Sequence, residues 1–168
     1  WIEFFKINTR WQYQLVDRLI TLYFGNKELQ MEFGAPSEKI DVIPNGIDIE
    51  RFARARRDLL QSTTYNVGLV ARVDPIKDIK TFINTIAIIR NIIPEVKGYM
   101  VGPVEPEQED YHKECLDLIH MLGLEDTIVF TGSADVIEYY SKLDVLLLTS
   151  LKEAMPLTVM EGMCAGLP

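Results

Sequence analysis

The chain has 168 residues, 48% hydrophobic and 25% charged, the makeup of a globular domain large enough for a proper core. Its 17 basic and 25 acidic side chains leave a net charge of −8, which argues against broad binding to nucleic acid or anionic membranes. No apolar run approaches the roughly 18 residues of a membrane span. Cys115 and Cys164 fall in separate predicted helices as reduced core residues, which suits a cytoplasmic location.

In chain order, residues 1–18 read as an aromatic-rich helix with Phe4, Trp11, Leu15 and Leu19 near helical spacing. Residues 20–24 read as a short strand, Gly25-Asn26 leads into a second short helix, and Gly34-Ala35-Pro36-Ser37 breaks the chain. A strand over 40–43 ends at the turn signal Pro44-Asn45-Gly46, and 51–61 is a charged helix or linker. From Tyr65 the pattern is regular. A strand over 67–71 precedes a helix capped by Asp78, whose Ile79, Phe82, Ile83 and Ile86 form one apolar stripe. A strand over 97–101 precedes a helix over 107–122 with Tyr111, Cys115, Leu118 and Leu122 on one side. A strand over 128–131, a short helix from Asp135, a strand over 143–149 and a helix over 156–165 complete the set. Four βα units with near-continuous apolar strands predict an α/β fold with a doubly wound, Rossmann-like parallel sheet. In such sheets ligands bind outside the carboxyl ends of the strands. The chain starts at Trp1 and stops just after a helix, where the alternation calls for another strand, so it reads as an internal piece of a longer protein.

The polar features fall at those strand ends. Pro156 suits the first position of the last helix. The amides of Leu157, Thr158 and Val159 then point forward with the positive end of the helix dipole behind them, an anion site suited to phosphate. Glu161 offers two acceptor oxygens, which fits adjacent sugar hydroxyls; its alternative is a role in the electrostatics of the helix start. Glu153, in the preceding loop, is either a functional carboxylate or a solvated loop acid. Arg72 and Lys77 follow the first regular strand and face a helix N-terminus, where they can stabilise a departing diphosphate or stand as solvated loop cations. The loop Gly132-Ser133-Ala134 can approach a flat base through its backbone or serve as a plain βα turn.

His112 and His120 read as surface or boundary residues, and Asp48-Ile49-Glu50 as a helical cap rather than a metal motif. Met155, Met160 and Met163 read as core packing. No Walker loop, Gly-x-Ser-x-Gly elbow or Gly-x-Gly-x-x-Gly fingerprint occurs, and no metal site is expected.

Val42-Ile43-Pro44-Asn45-Gly46-Ile47-Asp48 with Phe52 resembles the interdomain segment of the retaining glycosyltransferases of family four, which have the GT-B fold. Arg72 and Lys77 match that family's Gly-Arg-…-Lys pair, Glu153 to Glu161 its Glu-x7-Glu motif, and Cys164-Ala165-Gly166-Leu167-Pro168 the segment after it. With Pro75-Ile76-Lys77-Asp78-Ile79-Lys80-Thr81-Phe82, Gly102-Pro103 and Leu148-Thr149-Ser150, the chain looks most like the PelF-type branch, which serves Pel exopolysaccharide assembly. Ala71 and Ala154 depart from the glycines common at those places.

The resemblance implies a hexosyltransferase that moves a sugar from a UDP-linked donor to a growing polysaccharide without metal or cofactor, and membrane-bound polysaccharide export proteins as possible partners. Arg72, Lys77 and Glu153 would carry the catalysis. Arg72 and Lys77 would bind the donor diphosphate, and Glu153 would face the sugar. Met155, Pro156, Leu157 and Thr158 would contact sugar and phosphate, Glu161 the ribose, and the Ser133 loop the base. Residues 1–38 would be the tail of an N-terminal acceptor-side domain, 39–64 an interdomain segment, and 65–168 a truncated nucleotide-sugar domain. The piece alone would lack the acceptor site and be inactive. A GT-B epimerase and a non-catalytic subunit of a secretion complex are the alternatives.

Overall fold

In the computed structural model, residues 2–55 and 63–168 are described. They divide into two compact units, Trp1–Gly46 and Ile47–Pro168. Of the segment expected as a charged helix or linker, residues 56–61 lie outside the described residues.

In the first unit, helix α1 (Ile2–Leu15), strand β1 (Leu19–Thr21), helix α2 (Phe24–Glu32) and strand β2 (Ile40–Val42) follow one another, and the two strands pair in parallel. The strand expected over 20–24 is shorter and earlier, because Phe24 already belongs to α2. Phe4, Trp11 and Leu15 remain well exposed on α1 rather than buried. Lys39 ties the unit together by donating from Nζ to the Gln14 and Val16 carbonyls. Asn45-Gly46 adopts no turn: residues 43–48 are irregular and Gly46 is outside the left-handed region, so the turn signal there is not used.

The second unit opens with helix α3 (Ile49–Ala53), capped by Asp48, whose Oδ1 accepts from the Arg51 amide at 2.9 Å. Strand β3 (Tyr65–Val70) and helix α4 (Ile79–Arg90) follow, then β4 (Val96–Val101), α5 (Glu109–Met121), β5 (Ile128–Phe130), α6 (Val136–Tyr140), β6 (Val145–Leu146) and α7 (Leu157–Cys164). The four strands form one parallel sheet in the order β5-β4-β3-β6. That is the doubly wound order. The strand order reverses between β3 and β6, and there a crevice opens at the carboxyl ends.

Side chains alternate through the sheet because successive residues of a strand point to opposite faces. Val67, Leu69, Val96 and Met100 pack on one face with Ile79, Phe82, Ile83 and Ile86 of α4 and Cys115 and Ile119 of α5. Val70 and Val101 pack on the other with Phe52, Tyr140, Leu143 and Ala165. Both faces are covered, which is why these strands read as continuous apolar runs. The four α4 side chains are fully buried, each contributing about 1.5–3 kcal/mol of apolar burial.

Several expectations are corrected. Leu122 sits partly exposed, and Ile119 takes the core position instead. Met163 is 69% exposed, so it is not core packing. The last strand, expected over 143–149, pairs only at Val145 and Leu146. Beyond Leu147 the chain leaves the sheet because Thr149 Oγ1 donates to the Lys77 carbonyl at 2.8 Å and the Leu151 amide to the Ile76 carbonyl at 2.9 Å. Pro156 is the N-cap of α7, with φ −73° and ψ 113°, not its first helical residue.

Candidate functional site at the sheet's switch point

Two adjoining clefts open where β3 and β6 part. The larger, about 520 Å³, is lined by Arg72, Ile76, Lys77, Lys152, Glu153, Pro156, Leu157 and Thr158 with Val70 and Ala71. The smaller, about 280 Å³, is lined by Gly102, Pro103, Ser133, Ala134, Val136 and Thr158 among others. Val70, Ala71, Arg72 and Thr158 belong to both. Residues 76 apart in sequence thus face each other because β3 and β6 are neighbours.

The larger cleft carries three cations and one carboxylate. Lys77 Nζ donates to Glu153 Oε1 at 2.6 Å, with the two side chains 22% and 23% exposed. Burial works against charge on Glu153, but the hydrogen bond and charge of Lys77 prevail and hold its carboxyl below the usual range. Arg72 is more open, 59% exposed, and rests with Nε 3.2 Å from Asp74 Oδ2. Asp74 also accepts from the Ile76 amide at 3.0 Å, which fixes the turn Pro75–Lys77 that presents Lys77.

The two helix starts near the site differ. At α4, Asp78 holds a left-handed conformation (φ 47°, ψ 55°) and accepts from the Thr81 amide, while the Tyr111 hydroxyl accepts from the Ile79 amide at 3.1 Å. Its amides are therefore spent inside the protein, and the expected meeting of Arg72 and Lys77 with free amides does not occur there. At α7 no side chain caps the helix, and Leu157 and Thr158 of its first turn line the larger cleft. The dipole and first amides of α7, with Arg72, Lys77 and Lys152 around them, give this cleft the chemistry that suits an anion.

The smaller cleft is shaped by two glycines. Gly102 has φ +152°, and a Cβ there would overlap the Ala71 carbonyl oxygen; its amide donates to the Gly132 carbonyl at 3.2 Å. Gly132 has φ +66° and open space where a Cβ would be. Between them the backbone lines a mostly apolar slot beside Ser133.

The structure brings Arg72, Lys77, Glu153, Pro156, Leu157 and Thr158 into one cleft and Ser133 into the next. Met155 and Glu161 line neither. Glu161 lies one turn behind Thr158, where the Tyr140 hydroxyl donates to its Oε2 at 2.8 Å. Sequence reasoning missed Asp74, Thr149, Lys152 and Tyr140. Asp74 was legible as an Asp preceding Pro75, whereas Tyr140 carries no local signal. His120 is exposed and pairs with Glu125, and His112 packs against Phe130, as surface and boundary residues do. Among the described residues no three of His, Cys, Asp and Glu converge on one point, and no helix is long and apolar enough to cross a membrane.

Known proteins share this architecture. A family model described as glycosyl transferases group 1 matches residues 64–168. The UDP-Gal:alpha-D-GlcNAc-diphosphoundecaprenol alpha-1,3-galactosyltransferase of Escherichia coli is 30% identical over the whole of this chain, which covers 44% of that protein. A D-inositol 3-phosphate glycosyltransferase of Stackebrandtia nassauensis is 26% identical over 90% of the chain and 38% of its own length. Among solved structures, Anabaena HepE in complex with UDP aligns with a TM-score of 0.83 at 26% identity, over 97% of this chain and 48% of that one. HepE has also been solved in complex with UDP-glucose. The chain spans less than half the length of each of these relatives. The parallel sheet, its switch-point clefts and the sequence match agree: the fold is of the GT-B type, and the chain belongs to the group 1 glycosyl transferases.

Proposed function

We propose that the protein to which this chain belongs transfers a hexosyl group from a UDP-sugar to a growing polysaccharide, with retention at the anomeric carbon. The observation that carries this reading is the cation-lined cleft at the α7 N-terminus, joined through Arg72 and Thr158 to a second, more apolar cleft beside Ser133. In this reading the diphosphate lies among the cations of the larger cleft and the base in the smaller one. The UDP and UDP-glucose complexes of HepE and the UDP-Gal named for the Escherichia coli enzyme support a uridine donor.

In this reading Arg72, Lys77 and the first amides of α7 hold the diphosphate. As the bond from the anomeric carbon to the diphosphate oxygen breaks, its electron pair goes to that oxygen. These fixed positive groups stabilise the growing charge without reorganising. Glu153 faces the sugar and keeps Lys77 in place. The acceptor hydroxyl attacks on the same face, and its proton passes to the departing diphosphate. Met155 and Pro156 shape the backbone beside the sugar, Ser133 flanks the base, and Glu161 takes the ribose hydroxyls. Residues 1–38 belong to the acceptor-side domain, 39–64 connect it, and 65–168 bind the donor. The motif resemblance to the PelF-type branch supports a cytoplasmic enzyme of exopolysaccharide synthesis, handing its product to membrane-bound export proteins.

The test is calorimetric titration of the full-length protein with UDP, GDP, ADP and their sugar conjugates, followed by product analysis with a polysaccharide acceptor. UDP binding and an α-linked product from an α-linked donor are expected. Absence of binding by every nucleoside diphosphate overturns the reading.

A further inference from the structure

Phe52, Tyr140 and Glu161 form a connected set that lines neither cleft. Tyr140 of α6 is fully buried, and its hydroxyl has two acceptors within reach, Glu161 Oε2 at 2.8 Å and the Thr158 carbonyl at 3.3 Å. A phenol has one proton to donate, so the shorter, charged partner takes it. Phe52 of α3, itself buried, packs edge-on against the Tyr140 ring with centroids 5.9 Å apart at 74°. Buried on all sides, the ring has no other place for its hydroxyl. Burial, followed by the hydrogen bond and charge of Glu161, pushes that hydroxyl far above the usual tyrosine range, so it stays a donor at any working pH.

The consequence falls on Glu161. With Oε2 engaged, the carboxylate is fixed in rotation, and Oε1 is the oxygen left to a ligand. We propose that Tyr140, braced by Phe52, is the positioning residue that orients Glu161 toward the ribose hydroxyls of a nucleoside diphosphate, and that this pair sets the preference for ribose over deoxyribose. The inference rests on the ribose role given to Glu161 above. It assigns Phe52 of the interdomain motif a purpose as well: the phenylalanine holds the tyrosine that holds the carboxylate.

The test compares UDP with 2′-deoxy-UDP by calorimetry on the full-length protein. The wild type is expected to prefer UDP by about tenfold, the scale of one hydrogen bond to a charged group. Tyr140→Phe keeps the ring and removes the proton, so the preference should fall to about twofold, with UDP losing more affinity than 2′-deoxy-UDP, which keeps only the 3′-hydroxyl. Phe52→Leu, which leaves the hydroxyl in place, should lower the preference less. On a Glu161→Gln background Tyr140→Phe should change nothing further. A tyrosine that merely stabilises the fold would lower the melting temperature and leave the preference intact, and that result overturns the proposal. A wild type that binds the two nucleotides equally removes the ribose role of Glu161 itself, and so separates the failure of that assignment from a failure of Tyr140 alone.

Discussion

The Lys77–Glu153 pair makes a prediction whose sign separates two roles that one cleft could give a carboxylate. A phosphate oxygen that accepts from the Lys77 ammonium adds about 3 Å to the 2.6 Å already between Nζ and Glu153 Oε1, so the two anions face each other at about 5 Å. At an effective dielectric of about 20, unit charges at that separation repel by about 3 kcal/mol. With roughly a fifth of each side chain open to water, and with salt present, about 1 kcal/mol survives, roughly fivefold in Kd. Glu153→Gln should therefore bind UDP about fivefold more tightly while losing transfer activity. Lys77→Ala should bind it at least tenfold more weakly, because the phosphate loses a charge-assisted hydrogen bond. The double variant should fall between the two. Calorimetry with UDP on the full-length protein reads all three. If Glu153→Gln weakens UDP as much as Lys77→Ala does, the carboxylate is not a competitor of the diphosphate, and the reasoning about this cleft is wrong.

Arg72→Ala should weaken UDP by about 1.5–3 kcal/mol without changing the melting temperature, since the guanidinium is largely exposed and its pairing with Asp74 lies at the surface; titration beside a thermal melt checks both. Gly102→Ala places a methyl on the Ala71 carbonyl at a φ of +152°, and it should cost about 3 kcal/mol or more of stability, measured by denaturant unfolding. The depressed folded pKa of Glu153 implies stability that is present above the ordinary carboxylate range and lost as pH falls through the folded value. The stability gap between wild type and Lys77→Met should accordingly be widest near neutral pH and close as pH falls below the ordinary carboxylate range, as unfolding curves across pH would show.

Much of the second unit was legible because its signals are local. The stripe Ile79, Phe82, Ile83 and Ile86 has a helical period, Asp78 and Asp135 cap as acids at those places do, and the apolar runs bury on both faces of the sheet. The same is true of the cations and carboxylates at strand ends, since the carboxyl edge of a parallel sheet is where its loops converge. One failure traces to a distant partner and another is left unexplained. The last strand stops early because the turn at Pro75–Lys77 offers Thr149 and Leu151 hydrogen bonds, and the Asn45-Gly46 pair, with its local turn propensity, makes no turn.

By itself, then, the sequence determined the order and type of the main elements, the apolar faces of the second unit's strands and of α4, and which charges stand at the sheet's rim, because propensity, period and capping act within a few residues. Only the tertiary structure decided that Lys77 meets Glu153, that the amides of α4 are consumed by Asp78 and Tyr111 while α7 stays uncapped, and that Tyr140 holds Glu161. Such pairings depend on which strands become neighbours, and in a parallel sheet that is settled by crossovers tens of residues long, over which the chain carries no local mark.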